Sequence, residues 1–591
     1  MYRAPLEELR FLLEETSGIG QLTSCPQLAD YTAELGASVL EEAARFAETV
    51  LEPLYRSGDH DGARWTPEGA VSPPGFKEAY GQFVAGGWPQ LGGDPAFGGQ
   101  RVPQALASAT QEIWSSANLA FELCPMLTHG AVHALERCGS EEHRRLFLPR
   151  MTSGEWTGTM VLTEPQAGSD LAQVRTRAAP GPDGRHRLFG QKIFITWGDH
   201  DLTPNIIHMV LARIDGAPPG TRGLSLFVVP KVLVNPDGSL GARNDVRCAS
   251  IEHKLGIHAS PTCVMQFGAG EGAVGHLIGE PNRGLEQMFI MMNTARLGVG
   301  VQSYAVGERA FQHAAEYART RIQGRSATAA GPVAIVQHPD VRRMLLTMKS
   351  CTEASRALAF HAGVQLDLAA WHPEPAVRAR AQARADLLIP ILKGWCTETA
   401  NEVAALGVQV HGGMGFVEET GAAQYLRDVR ITTIYEGTTG IQANDLIGRK
   451  LARDGGAAMR ELLAEVRAQL QGLEPHEPAA RQARDAALEG LGALERSTGS
   501  LLGAMASGIE GALAVAVPYL MLCGVVLGGW QSARSAAAAA AGAGGRATEF
   551  YRARISSAHF YALQVLPRAL ALARIVERGA PGVLASGPEL V

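Results

Sequence analysis

The run His186-Arg187-Leu188-Phe189-Gly190-Gln191-Lys192-Ile193-Phe194-Ile195-Thr196 reads as a β-strand, and the turn signal Pro182-Asp183-Gly184 stands just before it. Four more runs of the same texture surround it: WTGTMVLT from Trp156, IIHMVLARI from Ile206, LSLFVVP from Leu224 and PTCVMQF from Pro261. Pro236-Asp237-Gly238 supplies a second turn. Together they predict an antiparallel sheet or small barrel of about six to eight strands by the usual strand length.

Outward from this β region the periodicity becomes helical. Leu6, Leu9, Leu12 and Leu13 recur at helical spacing, Tyr31 to Tyr55 continues the pattern, and helices resume from Ala105 to Cys138 after a Gly/Pro-rich loop at Gly86 to Gly99. Ser140 is placed to cap the next helix. Beyond the sheet, long helices are predicted over Leu285 to Thr320, His338 to Ala369, Pro375 to Leu406 and from Asp445 onward, with the short connections of a bundle. The fold class expected is α+β and multidomain. It comprises a helical extension (1–35), an N-terminal α domain (36–155), a middle antiparallel β domain (156–282), a C-terminal four-helix bundle (283–452) and an additional helical tail (453–591).

A chain of 591 residues exceeds what one hydrophobic core serves, which predicts roughly three to five domains. With 46% apolar and 19% charged residues it is globular rather than disordered, and a net charge of −6 gives no global field for nucleic acid. The eight cysteines form no CxxC pair, so reduced thiols in a cytoplasmic protein are expected, with no metal site. The N-terminus is charged and amphipathic, without the apolar core of a secretory signal. Leu501 to Trp530 is rich in Ala, Gly, Val and Leu, but Glu510 and Pro518 interrupt it; a buried helix pair is expected there rather than a membrane span. The alanine run 536–541, followed by Gly-Ala-Gly-Gly, reads as a helix end.

Three segments carry candidate chemistry. Leu162-Thr163-Glu164-Pro165-Gln166-Ala167-Gly168-Ser169-Asp170 breaks from a strand into a tight turn, which turns backbone N–H groups and a hydroxyl toward a polar or anionic ligand. Taken alone, it reads better as an ordinary β-turn. On the strand, alternation puts Phe194 and Thr196 on one face, an aromatic beside a hydroxyl that suits a planar heteroaromatic ligand; core packing explains the same pattern. In Tyr435-Glu436-Gly437-Thr438-Thr439-Gly440 a helix starts with Thr438 or Thr439 as N-cap. Glu436 just before it suits a pocket floor, where desolvation raises a carboxyl pKa toward the range of a general base. A solvated loop carboxylate fits that position too.

The three segments together resemble one family, the acyl-CoA dehydrogenases. The Thr-Glu-Pro to Gly-Ser-Asp signature is matched by residues 163–170, and the aromatic-Ile-Thr strand motif by Phe194-Ile195-Thr196. The Gln-x-x-Gly-Gly-x-Gly-Phe loop is matched from Gln409 to Phe416, and the Arg-Asp pair by Arg427-Asp428. Chain length, the helical tail and the phrase from Glu252 to Thr262 look like the long bacterial branch with an added C-terminal helical domain. That branch includes 3-(methylthio)propanoyl-CoA and broad-range fatty acyl-CoA dehydrogenases.

The resemblance implies α,β-dehydrogenation of an acyl-CoA thioester to the trans-2-enoyl-CoA. Glu436 would take the α-proton and FAD, through N5, the β-hydride; the electrons would pass to an electron-transfer flavoprotein. The Glu436 N–H would polarise the thioester carbonyl. It assigns flavin contacts to Leu162, Thr163, Gly168, Ser169, Phe194 and Thr196, and Arg321 to the pyrophosphate. Gln409, Gly413 and Thr438 match positions that hold the ADP half, usually from a neighbouring subunit, which implies a homodimer or a dimer of dimers. Ser169, Asn293, Arg296, Tyr435 and Gly437 match substrate-side positions. Two departures stand out: Gln323 replaces an aromatic before Gly324, and Gly440 replaces a flavin-contacting glutamine of shorter relatives. Glu164 and Asp170 are read as turn residues that satisfy N–H groups rather than as acids. The alternatives are an acyl-CoA oxidase that reduces oxygen and a non-catalytic subunit binding acyl-CoA or flavin.

Overall fold

The structure is a computed structural model that describes residues 2–181, 183–326, 331–542, 548–587 and 590. Pro182 of the first expected turn and residues 543–547 after the alanine run lie outside the described residues. The chain forms two compact units, each built from separate stretches. One comprises Arg45–Val102 and Ala117–Gly298, the other Met1–Ala44, Pro103–Ser116 and Val299–Val591.

The first unit carries the sheet. Its eight strands are β1 (Thr157–Val161), β2 (Arg177–Pro180), β3 (His186–Thr196), β4 (Ile206–Ile214), β5 (Leu224–Pro230), β6 (Val246–Ile251), β7 (Thr262–Phe267) and β8 (Ala273–Ile278). The order is β6-β7-β3-β8-β5-β4-β1, with β2 paired to β3 and β4. The five expected runs all become strands. The sheet is mostly antiparallel, as expected, but β1 and β2 run parallel to β4, so it is mixed. Strand β5 is buried at every position, because a strand covered on both faces has no polar side to alternate with. Val161, Leu188, Ile195, Val210, Phe227, Val229 and Phe267 form the core.

The second unit is helical. Long helices run over Gly284–Thr320, Pro339–Trp371 and Pro375–His411, matching the expected segments, and the first of these begins in the sheet unit. The segment after Asp445 is interrupted: a wide turn at Leu446–Leu451 and the left-handed pair Gly455 and Gly456 break it before Ala457–Gly472. In the tail, Leu501 to Trp530 divides among helices Pro478–Ser507, Ile509–Ala514 and Ala516–Gly542. The last is long and apolar enough to cross a membrane, yet 83% of its most apolar window is buried within the protein. Pro518 sits in its first turn, where a missing N–H costs nothing.

This tail helix packs against Pro375–His411 and against the short helix Thr439–Asp445. Gly524 and Gly528 form the notch that admits the Trp395 ring, and a Cβ at either would run into that ring. Gly394 faces Leu520 in the same way.

A buried charge cluster ties the ends of the chain to the bundle. Arg356 is fully buried and donates through Nε to both oxygens of Glu112 (2.7 and 2.9 Å) and through Nη2 to Glu308 (2.8 Å). Its Nη1 donates to Glu8 of the N-terminal helix Leu6–Phe11. Arg554 of the tail pairs with Glu8 (3.2 Å) and Glu353 (3.0 Å), and Lys349 also pairs with Glu353. Burial opposes charge on Glu8, but Arg356, Arg554 and Lys349 hold its carboxyl down to about 2. Burial pushes Glu112 up to about 7 despite Arg356, and the charges of Glu308 and Glu8 add to the rise.

Candidate active site

In the sheet unit, the Leu162–Asp170 segment is a pinned turn. Glu164 and Ala167 exchange backbone hydrogen bonds (3.1 and 2.9 Å), closing a two-residue loop over Pro165-Gln166. The Glu164 carboxylate is buried and accepts from Arg175 N (2.8 Å), Thr176 N (3.0 Å) and Thr176 Oγ1 (2.5 Å). Lys192, fully buried on β3, pairs with it at 2.9 Å and donates to Leu162 O at 2.8 Å. Asp170 Oδ1 accepts from Ala172 N (3.0 Å) and caps the turn Leu171–Gln173. Both acids therefore satisfy N–H groups, as expected. Gly168 and Ser169 are exposed, Leu162 is buried and Thr163 is half-buried.

Burial works against charge on Glu164, but Lys192 and the three donors hold the carboxyl down to about 2, well below its ordinary 4.3. A carboxylate with a depressed folded pKa stabilises the fold above its unfolded value, and that contribution is lost as pH falls through about 2. Glu164→Gln should therefore cost about 2–3 kcal/mol at pH 7, with the deficit shrinking toward pH 2. Chemical denaturation at both pH values checks this; an equal deficit at both would contradict it.

Strand β3 departs from the expected alternation at the residue of interest. Ile195 pairs with Cys263 and Lys192 with Met265, so Ile193 and Phe194 together stand opposite Val264 in a β-bulge. Phe194 takes a left-handed φ of +58° and its ring is 59% exposed, whereas Lys192 and Ile195 point inward. Non-glycine residues in that region cost energy and concentrate at functional sites. Phe194 and Thr196 therefore do not share a face through simple alternation; the bulge re-aims Phe194 out of the sheet. Asn293 is half-buried on its helix, and Arg296 is buried with its guanidinium 5.6 Å from the Phe289 ring.

In the helical unit, a tight turn Arg430–Thr433 leads into Ile434, Tyr435 and Glu436. Glu436 also has a left-handed φ, +57°, followed by Gly437 at +93°. At Gly437 the conformation favours glycine, and a Cβ there would lie 2.6 Å from Gln442 Nε2 and displace that side chain. Thr438 is the N-cap, its Oγ1 accepting from Ile441 N at 3.3 Å, and opens the helix Thr439–Asp445. The turn is held from every side. Gln442 Nε2 donates to Glu436 O (3.3 Å) and Gly437 O (3.2 Å), and Lys393 Nζ donates to Gly437 O at 2.6 Å. Tyr435 Oη donates to Gln302 Oε1 (2.7 Å), and Thr439 Oγ1 donates to Glu398 (2.6 Å).

Arg321 is exposed at the end of the Gly284–Thr320 helix, with Nη2 3.5 Å from Gln323 Oε1, the side chain that replaces the aromatic. Gln409 and Gly413 are exposed on either side of the helix-ending Gly412. Phe416 beside them is 88% exposed. Sequence reasoning missed Lys192, Lys393, Gln302 and Gln442. The readable signal was a lysine inside an apolar run, as in Leu387-Leu388-Ile389-Pro390-Ile391-Leu392-Lys393.

In the sheet unit an outward aromatic ring and an exposed turn hydroxyl, and in the helical unit an exposed guanidinium, are each of the kind that contacts a flavin dinucleotide. Gly168, Gly412 and Gly413 leave open space where a side chain would stand. A mostly helical unit and a unit built on a mixed sheet carry these side chains. Four family models match: acyl-CoA dehydrogenase N-terminal domain over 36–155, middle domain over 159–269 and C-terminal domain over 282–451, and acetyl-CoA dehydrogenase C-terminal like over 462–586. The chain is 48% identical to 3-methylmercaptopropionyl-CoA dehydrogenase of Ruegeria pomeroyi, over 96% of each chain. It is 35% identical to the broad-specificity linear acyl-CoA dehydrogenase FadE5 of Mycobacterium tuberculosis, over 98% of this chain and 97% of that one. Its fold is that of Caenorhabditis elegans ACDH-11 in complex with C11-CoA (TM-score 0.77, 21% identity, 100% and 96% covered). It is also that of a Bacillus anthracis acyl-CoA dehydrogenase complexed with FAD (TM-score 0.71, 20% identity, 98% and 93% covered). The chain belongs to the acyl-CoA dehydrogenase family and is an oxidoreductase.

Proposed function

We propose that the protein oxidises an acyl-CoA across Cα–Cβ to the trans-2-enoyl-CoA, with Glu436 as the α-proton base. The observation that carries this is the Glu436 turn: a non-glycine residue held at positive φ, its carbonyl bound by Gln442 and the carbonyl of Gly437 by Gln442 and Lys393. Such strain persists where the surroundings over-determine it. A backbone held in this way reduces the reorganisation that its carboxylate needs before proton transfer. The Glu436 N–H and the start of the Thr439–Asp445 helix supply dipoles for charge developing on the thioester oxygen.

Leu162, Thr163, Gly168, Ser169, Phe194 and Thr196 would hold the flavin ring, and Arg321, Gln409, Gly413 and Thr438 the pyrophosphate and ADP half. FAD supplies the hydride acceptor when bound, at N5. Ser169, Asn293, Arg296, Tyr435 and Gly437 line the acyl-CoA side in this reading. Exposed Met414, Phe416 and Val417, next to Gln409 and Gly413, form an apolar surface that a second copy would cover, which supports a homo-oligomer. The electron acceptor proposed is an electron-transfer flavoprotein. The domain borders proposed are those read from the sequence, at 35, 155, 282 and 452.

The test is a scan of flavin bleaching with short, long and methylthio acyl-CoAs, each run in air and with an added electron carrier. Bleaching by at least one acyl-CoA, with turnover that requires the carrier, is expected. Rapid peroxide formation in air without a carrier would instead make the protein an oxidase. FAD that bleaches with none of them would make it a binding subunit.

A further inference from the structure

We propose that Lys393 is a positioning residue for proton abstraction, fixing the Glu436 carboxylate through the Gly437 carbonyl. This inference rests on the reading of Glu436 as the base. Lys393 lies on the Pro375–His411 helix and is fully buried, and its Nζ donates to Gly437 O at 2.6 Å. That carbonyl belongs to the residue after Glu436, and both residues are left-handed, with φ of +57° and +93°. The Glu436–Gly437 peptide is held through the Glu436 carbonyl by Gln442, and the next peptide, Gly437–Thr438, carries the carbonyl that Lys393 grips. The ammonium holds that peptide, and Gln442 bridges the same carbonyl and that of Glu436.

The choice of residue is informative. A neutral amide would satisfy this carbonyl at far less desolvation cost than a buried ammonium, which costs several kcal/mol. A charged donor makes a stronger bond to the Gly437 carbonyl than a neutral amide would. The residues that follow Lys393 pack on the tail helix. Gly394 faces Leu520 of the tail helix, and Trp395 occupies the notch at Gly524 and Gly528. The same tail helix packs on Thr439–Asp445, the helix that the Glu436 turn opens. The additional domain thus backs both supports of the turn.

The experiment measures anaerobic flavin reduction per bound FAD with a bleaching acyl-CoA, in wild type, K393M, K393Q, K393R and E436Q. Normalising to bound FAD keeps a poorly folding variant informative. For K393M the maximal rate is expected to fall about 10- to 100-fold, the range for a misplaced catalytic group, while KM changes less than about threefold. K393Q should fall between K393M and K393R, and K393R should recover most of the rate because charge and donor are kept. A merely structural lysine would lower FAD content and melting temperature but not the rate per bound FAD. K393M reducing its flavin at the wild-type rate, with E436Q inactive, overturns the positioning role and leaves the base assignment standing. An active E436Q removes the base assignment itself.

Discussion

Glu436→Gln should retain FAD and still bind acyl-CoA, yet lose about 10²- to 10⁴-fold in the rate of flavin reduction, the range that general-base catalysis contributes. The substitution is nearly isosteric. It leaves the turn in place, because the contacts that hold it run through the Glu436 and Gly437 carbonyls to Gln442 and Lys393. What disappears is the proton acceptor. A carboxamide is not basic enough to take a proton from carbon, whereas the Glu436 main-chain N–H, proposed to polarise the thioester oxygen, remains. The expected signature is therefore a large fall in maximal rate with little change in apparent affinity. Rapid-mixing spectroscopy under anaerobic conditions separates the two.

Arg356→Met should be the most destabilising single substitution outside the site, by about 3–5 kcal/mol, the cost of breaking a buried ion pair by removing one partner. Glu112, Glu8 and Glu308 would lose their shared guanidinium, and Glu112 is fully buried. The pH dependence follows from the signs. In the wild type, Glu8 with a carboxyl held at about 2 contributes stability above its unfolded value of about 4.3, which is lost as pH falls through about 2. Without Arg356, Glu112, already raised by burial, rises further and Glu8 loses its main counter-charge, so protonation favours the folded variant more than the wild type. The deficit should narrow as pH drops from 7 toward 5. Denaturant titration of both proteins at the two pH values measures it, and a deficit that widens on acidification would contradict the account.

Much of this was legible because the relevant signals are local. The strand β3 follows from aromatic and β-branched composition with a turn before it, and its range coincides with the structure at His186–Thr196. Thr438 as N-cap and the helix after it follow from residue type alone. What could not be read depends on partners far apart in sequence. The bulge that turns Phe194 outward is set by its pairing with β7, and alternation within one strand cannot show an extra residue. The parallel pairing of β1 with β4 likewise joins strands separated by a long stretch of chain. Arg356 looks like any helical arginine until Glu8, Glu112, Glu308 and, beside them, Arg554 converge from four other segments. Lys393 and Lys192 are intermediate cases: an apolar neighbourhood marks both as unusual, but only the fold shows which carbonyl or carboxylate each one meets.

The measurement that most directly tests Glu436 as the base isolates the proton step. An acyl-CoA with no β-hydrogen cannot transfer a hydride, so any α-proton chemistry it undergoes belongs to the protein's base. Incubated in D₂O with the FAD-loaded wild type, such a thioester should gain deuterium at Cα, followed by mass spectrometry, and with Glu436→Gln it should gain none above the enzyme-free control. Exchange by Glu436→Gln at the wild-type rate would contradict the account.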